Sequence, residues 1–160
     1  MLAPDVLSIR AARPADAAEL AQVILAAFEP YRAWLKPTPG ALSESTETIA
    51  RRLAEGQGFV AARGRVVGCI LTVPRSAAEL YVGRLAVLPE WQGRGIASRL
   101  MGAAEEMARS KGYACMSLNV RIALAGNRAL FEKLGFRFKS EERHPGFSEP
   151  TFISMRKELA

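Results

Sequence analysis

Residues 87–97 read Val-Leu-Pro-Glu-Trp-Gln-Gly-Arg-Gly-Ile-Ala, and they are the most informative segment of the sequence. It runs from the end of a strand through a proline-marked turn to two glycines, and a helical pattern begins at Ile96. Gly93 and Gly95 allow a ligand to approach the backbone, and the first-turn amides of a helix carry partial positive charge without intrahelical acceptors. The two glycines, the first-turn amides and the guanidinium of Arg94 together predict a site for a phosphate-bearing ligand.

Two familiar phosphate motifs do not fit this segment. A P-loop would place Gly-Lys-Ser/Thr after the glycines, and the dinucleotide fingerprint would add a third glycine and further parallel strands. The competing interpretations are an ordinary tight turn for Gly93 and Gly95 and a solvated loop for Gln92 and Arg94.

Upstream of the segment, the sequence predicts a short strand, two helices and three antiparallel strands. The first helix follows Pro14, with Asp16 as N-cap and Glu19 completing a capping box, and the second covers about residues 45–55. The strands are expected at 7–11, 59–63, 66–73 and 79–88. Gly64 lies where the hairpin between 59–63 and 66–73 must turn.

Downstream, the pattern predicts a helix over 96–110, a strand over 116–120, a short helix over 127–134 and two final strands, 136–140 and 151–155. Gly112 ends the long helix and Gly135 the short one. The element order indicates an α/β (α+β) fold, a mixed and mostly antiparallel central sheet with helices on both faces.

Length and composition narrow the class of protein further. The chain has 160 residues, of which 49% are hydrophobic and 24% charged. These values fit a single domain over residues 1–160 and exclude disordered, collagen-like and disulfide-stapled classes. The net charge of +6 favours an anionic partner.

Targeting and metal signals are missing from the sequence. The start has no apolar run of signal-peptide length, and the longest apolar stretch, 66–74, is too short to cross a membrane, so we expect a cytoplasmic protein with no membrane partner. Cys69 and Cys115 lie in apolar, strand-like runs and have no Cys or His at ligand spacing. They are predicted to be reduced, buried thiols, and no metal is expected.

The spacing Gln92-x-x-Gly95-x-Ala97 resembles the Gln/Arg-x-x-Gly-x-Gly/Ala signature of the GNAT superfamily of acyl-CoA-dependent N-acyltransferases. The preceding residues 85–89, Leu-Ala-Val-Leu-Pro, also match. A second block, 127–136, is similar to the family's short helix whose end abuts the acyl-CoA. With two blocks in order on matching elements, the likeness covers almost the whole chain and implies one GNAT-like domain.

The resemblance implies that acetyl-CoA is the acyl donor. Its pyrophosphate would bind the backbone amides of residues 92–97, and its pantetheine arm would pair with residues 85–87. The thioester would lie where the strand 79–88 and the strand beginning near Met116 separate. The implied CoA-binding residues are Leu85, Ala86, Val87, Gln92, Gly93, Arg94, Gly95, Ile96, Ala97, Asn127 and Phe131.

The reaction needs a base that deprotonates the amine and a donor for the oxyanion. Backbone amides near Leu85 and Val87 could supply the donor. The family's general-base position falls at Tyr81, with Glu79 on the same strand face, and we hypothesise that one of them relays the proton through water. Core packing is the competing interpretation for Tyr81. His144, the only histidine, is a further acid/base candidate or a surface-loop residue.

Two positions depart from the family pattern. Phe131 stands where many members carry a tyrosine that protonates the leaving thiolate, and Leu124 where an asparagine is usual, although Asn127 lies one turn closer. The general acid is therefore open, with Tyr113 and His144 as further candidates. Six further residues either contact the acceptor or have no functional role, the aromatic ones covering the sheet and the charged ones facing solvent. They are Tyr31, Trp34, Lys36, Glu141, Glu142 and Glu149.

The sequence thus predicts an N-acetyltransferase that moves an acetyl group from acetyl-CoA to a primary amine by direct attack in a ternary complex. The alternative is a non-catalytic acyl-CoA-binding regulatory domain, motivated by Phe131 and by the absence of a carboxylate at Tyr81. A nucleic-acid partner is not expected, because no helix-turn-helix or RNP-like motif accompanies the charge. The acceptor is open among small amines, amino acids, antibiotics and protein amines. A homodimer is also possible.

Overall fold

A computed structural model describes residues 6–159, which form seven strands and four α-helices. Short 3₁₀ turns precede α1, α2 and α3. The elements in chain order are β1 (Ser8–Ala11), α1 (Ala17–Phe28), α2 (Thr46–Glu55), β2 (Gln57–Arg63), β3 (Arg65–Pro74), β4 (Glu79–Val87), α3 (Ile96–Ser110), β5 (Cys115–Arg121), α4 (Ala125–Lys133), β6 (Arg137–Glu142) and β7 (Phe152–Glu158).

The chain divides into two compact units, and β4 contributes to both. The first unit comprises the described residues of Met1–Val73 and Gly83–Met107. Its strand order is β1-β2-β3 followed by the second part of β4, and β2 is antiparallel to both β1 and β3. Helix α1 packs against α2. Fully buried apolar side chains fill this unit, among them Leu20, Ile24, Ile49, Ile70 and Leu100.

The second unit comprises the described residues of Pro74–Val82 and Ala108–Ala160. Here the first part of β4 pairs in parallel with β5, and β7 lies antiparallel between β5 and β6. Helix α4 packs against β5. Phe136, Met116, Ile153 and Met155 are fully buried and form the core of this unit.

The predicted fold class, with its mixed and mostly antiparallel sheet, is confirmed. The long helix occupies the predicted residues, Ile96–Ser110, and Gly64 has the positive φ of 75° that the hairpin needs. Gly135 (φ 99°) ends α4, where the amide of Phe136 donates to the carbonyl of Phe131 at 3.0 Å. That residues 1–160 form one domain stays a prediction, and residues 1–5 and 160 lie outside the described residues.

The capping box predicted at the start of α1 is wrong. Residues Pro14–Asp16 form a 3₁₀ turn, and the Asp16 carboxylate accepts the backbone amide of Arg13 at 2.7 Å instead of capping α1. Glu19 reaches out of the helix and accepts the backbone amide of Val66 at 2.9 Å. That amide lies beside a β-bulge in the β2–β3 ladder, so a distant backbone donor competes successfully for the Glu19 carboxylate.

Within residues 6–159, no helix combines the length and the apolar composition that a membrane crossing requires.

Asp16 links β1 to the start of α1, and its contribution should depend on pH. It binds the Arg10 guanidinium with two hydrogen bonds, of 2.8 and 3.0 Å, and this contact, partly opposed by burial, holds the pKa of the Asp16 carboxyl below its usual range. We expect Asp16→Asn to lower the free energy of unfolding at pH 7 by about 1–2 kcal/mol. Urea denaturation measures this difference.

Because the folded-state pKa of Asp16 is depressed, its stabilisation is present above the unfolded-state pKa, about 4, and is lost as the pH falls through the folded-state value. The difference between wild type and variant should therefore shrink below about pH 4. Glu47→Gln, at an exposed position of α2, is the control and should change little. An equal difference at pH 3 and pH 7 would contradict this role of Asp16.

Candidate functional site

The loop between β4 and α3 has a backbone that only glycine adopts without strain. Gly93 and Gly95 have φ of 77° and 78°, and no atom beyond the adjacent residues lies within 4 Å of the position where a Cβ would stand on either glycine. Helix α3 starts directly afterwards, at Ile96. The loop therefore leaves open space beside the first-turn amides of a 15-residue helix, as an anion site needs.

Gln92 fastens this loop to the end of β4. Its side-chain Nε2 donates to the carbonyl of Val87 at 3.0 Å. Leu88, the residue after Val87, donates its backbone amide to the carbonyl of Val67 on β3 at 2.9 Å. Gln92 is thus a structural brace of the loop and not a merely solvated residue.

Positive charge gathers around Trp91, next to the loop. The Arg94 guanidinium lies 4.6 Å from the centre of the Trp91 ring, and that of Arg63 lies 5.4 Å from it. Arg94 also donates to the carbonyl of Glu90 at 3.2 Å, and Arg65 forms an ion pair of 3.2 Å with the Glu90 carboxylate. Three arginines and one carboxylate give this end of the first unit a local excess of positive charge.

Residues 85–87 offer backbone groups along one edge of β4. Successive residues of a strand direct their amides and carbonyls to opposite edges. Since the amide of Leu88 binds β3, the backbone groups of Leu85 and Val87 point away from β3. The carbonyl of Val87 receives Gln92, while Ala86 and Val87 are themselves buried.

In the second unit, Glu79 is held as a carboxylate. The hydroxyl of Ser117 on β5 donates to it at 2.6 Å, and Arg75 lies 3.7 Å away. The hydrogen bond from Ser117 is the main cause that keeps the pKa of Glu79 below its usual value, opposed by partial burial and reinforced by Arg75, Lys139 and Arg156. A carboxylate of this kind is ionised at neutral pH and accepts protons weakly.

Tyr81 lies two residues after Glu79, and Arg75 contacts both side chains. The Arg75 guanidinium stacks 3.8 Å from the centre of the Tyr81 ring. The side chain of Tyr81 is partly exposed, so it does not belong to the fully buried core. Glu79, Tyr81 and Arg75 form one cluster at the start of β4.

His144 lies in the β6–β7 loop, in contact with Thr151 and Phe152. Its backbone amide donates to the hydroxyl oxygen of Thr151 at 2.9 Å, its Nδ1 contacts the same oxygen, and its ring centre lies 4.9 Å from that of Phe152. Burial, aided by the charge of Arg121, lowers the pKa of His144, so the imidazole is neutral at pH 7. An open surface depression lined by residues 143–148 surrounds it.

On α4, Asn127 and Phe131 are one turn apart. The backbone amide of Asn127 donates to the carbonyl of Leu124 at 3.0 Å, within the first turn of the helix. The ring of Phe131 meets that of Phe136 edge to face at 6.3 Å. Phe131 is partly exposed, and its contact with Phe136 lies at the C-terminal end of α4.

Several side chains that surround the candidate residues of each unit could not be found by sequence reasoning. Ser117 and Arg75 define the environment of Glu79, yet neither belongs to a motif. Trp91 stacks with two arginines, and only its position before the glycines could have drawn attention to it. Arg84, directly before Leu85 on β4, has a φ of 49° despite its side chain, which no sequence pattern predicts.

The two cysteines are free and buried, as predicted. Burial raises the pKa of Cys69 to about 12 and raises that of Cys115, so neither is a thiolate at neutral pH. Across residues 6–159, no three His, Cys, Asp or Glu side chains come together in a way that could hold a metal ion.

A family model described as the acetyltransferase (GNAT) family matches residues 22–136, well over half of the chain. No curated protein matches the sequence at a significant level.

Solved structures with this fold come from several organisms. An N-acetyltransferase, PaiA, of Thermoplasma acidophilum, solved with coenzyme A, is 19% identical, with a TM-score of 0.79 over 96% of this chain and 99% of that one. A GNAT family acetyltransferase of Elizabethkingia anophelis, solved with acetyl-CoA, is 20% identical (TM-score 0.67; 97% and 99% covered). A GNAT family acetyltransferase of Streptococcus pneumoniae is 18% identical (TM-score 0.75; 97% and 100% covered). At these identities the likeness shows the fold.

The environment of Glu79 gives a direct test of the site's electrostatics. Ser117→Ala removes the donor that favours the ionised carboxylate, so the pKa of Glu79 should rise towards its ordinary value. A pH titration of the side-chain carboxyl signal by NMR measures it. Ser154→Ala, on the neighbouring strand β7, is the control and should leave the titration unchanged. An unchanged Glu79 titration in Ser117→Ala would show that the hydrogen bond is absent in solution.

Proposed function

The chain belongs to the acetyltransferase (GNAT) family, and on that premise we propose that it transfers an acetyl group from acetyl-CoA to a primary amine by direct attack within a ternary complex. The amine nitrogen forms a bond to the thioester carbonyl carbon, the carbon–sulfur bond breaks, and CoA leaves as a thiol. One proton moves from the amine to a base. The products are an N-acetyl amine and CoA.

One observation carries this proposal, the open glycine loop at the start of α3. Gly93 and Gly95 leave the space that a Cβ would fill, and Gln92 fixes the loop to Val87. The residues present therefore fit a pyrophosphate, which the amides of residues 92–97 would bind, with Arg94 adding positive charge. The coenzyme A and acetyl-CoA in two of the solved neighbours support the same ligand.

The edge of β4 supports the remaining contacts of the donor. The amides of Leu85 and Val87 and the carbonyl of Leu85 point away from β3, so they can pair with the amide groups of a pantetheine arm as a strand would. We propose that one of these amides also donates to the oxyanion that forms when the amine attacks. The carbonyl of Val87 takes no part, because Gln92 binds it.

Direct attack is favoured over a covalent acyl-enzyme because neither cysteine can act as a nucleophile. Cys69 is fully buried with a pKa of about 12, and Cys115 is buried on β5. A thiol in that state has almost no thiolate at neutral pH. The acetyl group is thus proposed to move from donor to acceptor in one step.

For the proton, we retain Glu79, Tyr81 and His144 as candidates. Glu79 is ionised and can accept a proton through water, although its low pKa makes it a weak base. His144 is neutral at pH 7 and therefore able to accept a proton, but Thr151 already binds its Nδ1. Phe131 has no proton to give, so the leaving thiolate is proposed to take its proton from water.

Acetyl-CoA binding should depend on the charge at Arg94. In calorimetric titrations we expect micromolar binding to the wild type and a dissociation constant at least roughly tenfold higher for Arg94→Glu, because the reversed charge repels the pyrophosphate. Arg51→Glu, an equal charge reversal at an exposed site on α2, is the control and should bind as the wild type does. No binding by the wild type would refute the donor, and equal weakening by both variants would refute the loop as its site.

The proton relay has its own test in the pH dependence of kcat/KM. Glu79→Gln should lower kcat by roughly 10–100-fold and remove an inflection on the acid side, since Glu79 loses its charge only when the pH falls through its depressed pKa. Tyr81→Phe, which removes the hydroxyl of the other candidate, should lower kcat as well. Glu47→Gln serves as the control. If both variants keep the wild-type profile, the relay through Glu79 or Tyr81 is wrong.

A further inference from the structure

A buried carboxylate in the first unit binds two arginines. The Glu44 side chain is 4% exposed, and its Oε2 accepts Nε–H groups from Arg84 at 2.6 Å and from Arg52 at 2.7 Å. Its Oε1 accepts the hydroxyl of Thr48 at 2.6 Å. One negative charge faces two positive charges here. The three side chains together therefore carry a net charge of +1.

The outer edge of the Arg84 guanidinium has no protein acceptor. Among the residues that the structure describes, its side chain donates to Glu44 through Nε, and no hydrogen bond leaves Nη1 or Nη2. Among the described residues, no side-chain nitrogen or oxygen is both buried and without a hydrogen-bond partner. Nη1 and Nη2 of Arg84 therefore reach solvent, and the Arg84 side chain is 25% exposed. A guanidinium held by Nε presents Nη1 and Nη2 together, the geometry that grips a carboxylate with two parallel hydrogen bonds.

The backbone and a neighbouring glycine fix where this guanidinium lies. Arg84 has a φ of 49°, a left-handed conformation that costs a non-glycine residue energy and persists only where the surroundings impose it. Its Nη2 passes 3.3 Å from where a Cβ would stand on Gly40. Glu44, Gly40 and the strand together preorganise the group.

We propose that Arg84 binds a carboxylate of the acceptor, and that the acceptor is therefore an α-amino acid or a similar amine with a carboxylate one or two carbons from its nitrogen. This inference rests on the proposed function, because Arg84 directly precedes residues 85–87, where the pantetheine arm is placed. A carboxylate held by Arg84 keeps a nearby amine beside that strand. The excess positive charge also selects against amines that carry no negative charge.

The test compares acceptors that differ only in the carboxylate. L-Phenylalanine is paired with phenethylamine, L-leucine with 3-methylbutylamine, and L-methionine with 3-(methylthio)propylamine, and released CoA thiol is measured. We expect kcat/KM to favour the amino acid of an accepted pair by on the order of 100-fold, since the analogue leaves Nη1 and Nη2 without a partner.

Variants then assign that preference to Arg84. Arg84→Gln should reduce the ratio of the two kcat/KM values by on the order of 100-fold, mainly through KM for the amino acid. Arg84→Lys keeps the charge but loses the fork and should reduce it by roughly tenfold. Arg51→Gln removes one positive charge from an exposed position of α2 and should leave the ratio unchanged. If Arg84→Gln does not fold, by circular dichroism, Arg84→Lys decides.

The outcomes separate the two proposals. A wild type that acetylates both members of a pair equally, or an Arg84→Lys variant with an unchanged ratio, overturns the inference while the proposed function stands. A wild type that binds acetyl-CoA but acetylates no carboxylated amine across the twenty amino acids overturns it as well. A wild type that does not bind acetyl-CoA refutes the proposed function, and the inference falls with it.

Discussion

The first-turn amides of α3 impose the main physical constraint on the loop between β4 and α3. A helix cannot satisfy these groups itself, and a side-chain cap would cover them. Here glycines stand before the helix, with φ of 77° and 78°, and Gln92 directs its amide backwards to Val87. The contact between Gln92 and Val87 thus holds the loop in place, while the space beside Gly93 and Gly95 stays open. An anionic ligand needs this arrangement.

Strand β4 carries most of the residues assigned to chemistry. Its beginning holds Glu79 and Tyr81 in contact with Arg75, and its end leads into the glycine loop. Between them, Arg84 leaves the regular strand conformation. Strand residues hold their side chains more firmly than loop residues do, which favours β4 as the carrier of the contacts proposed for each of its two parts.

The sequence predicted those features whose causes are local. Helix α3 has the predicted bounds because its glycine start and its end at Gly112 are encoded within a few residues. Glu19 was assigned wrongly because its partner, Val66, lies 47 residues away. The contacts of Glu79 with Ser117 and of Glu44 with Arg84 could not be predicted for the same reason. Their partners lie 38 and 40 residues apart, and only the fold brings such pairs together.

An amide NMR titration of the 160-residue protein with acetyl-CoA tests directly where the donor binds. If the first-turn amides of α3 bind the pyrophosphate, the largest chemical-shift changes will occur at the amides of Gly93, Gly95, Ile96 and Ala97, with smaller changes at Leu85 and Val87. Saturable binding with unchanged amides in this loop, and the largest changes elsewhere, would contradict the account.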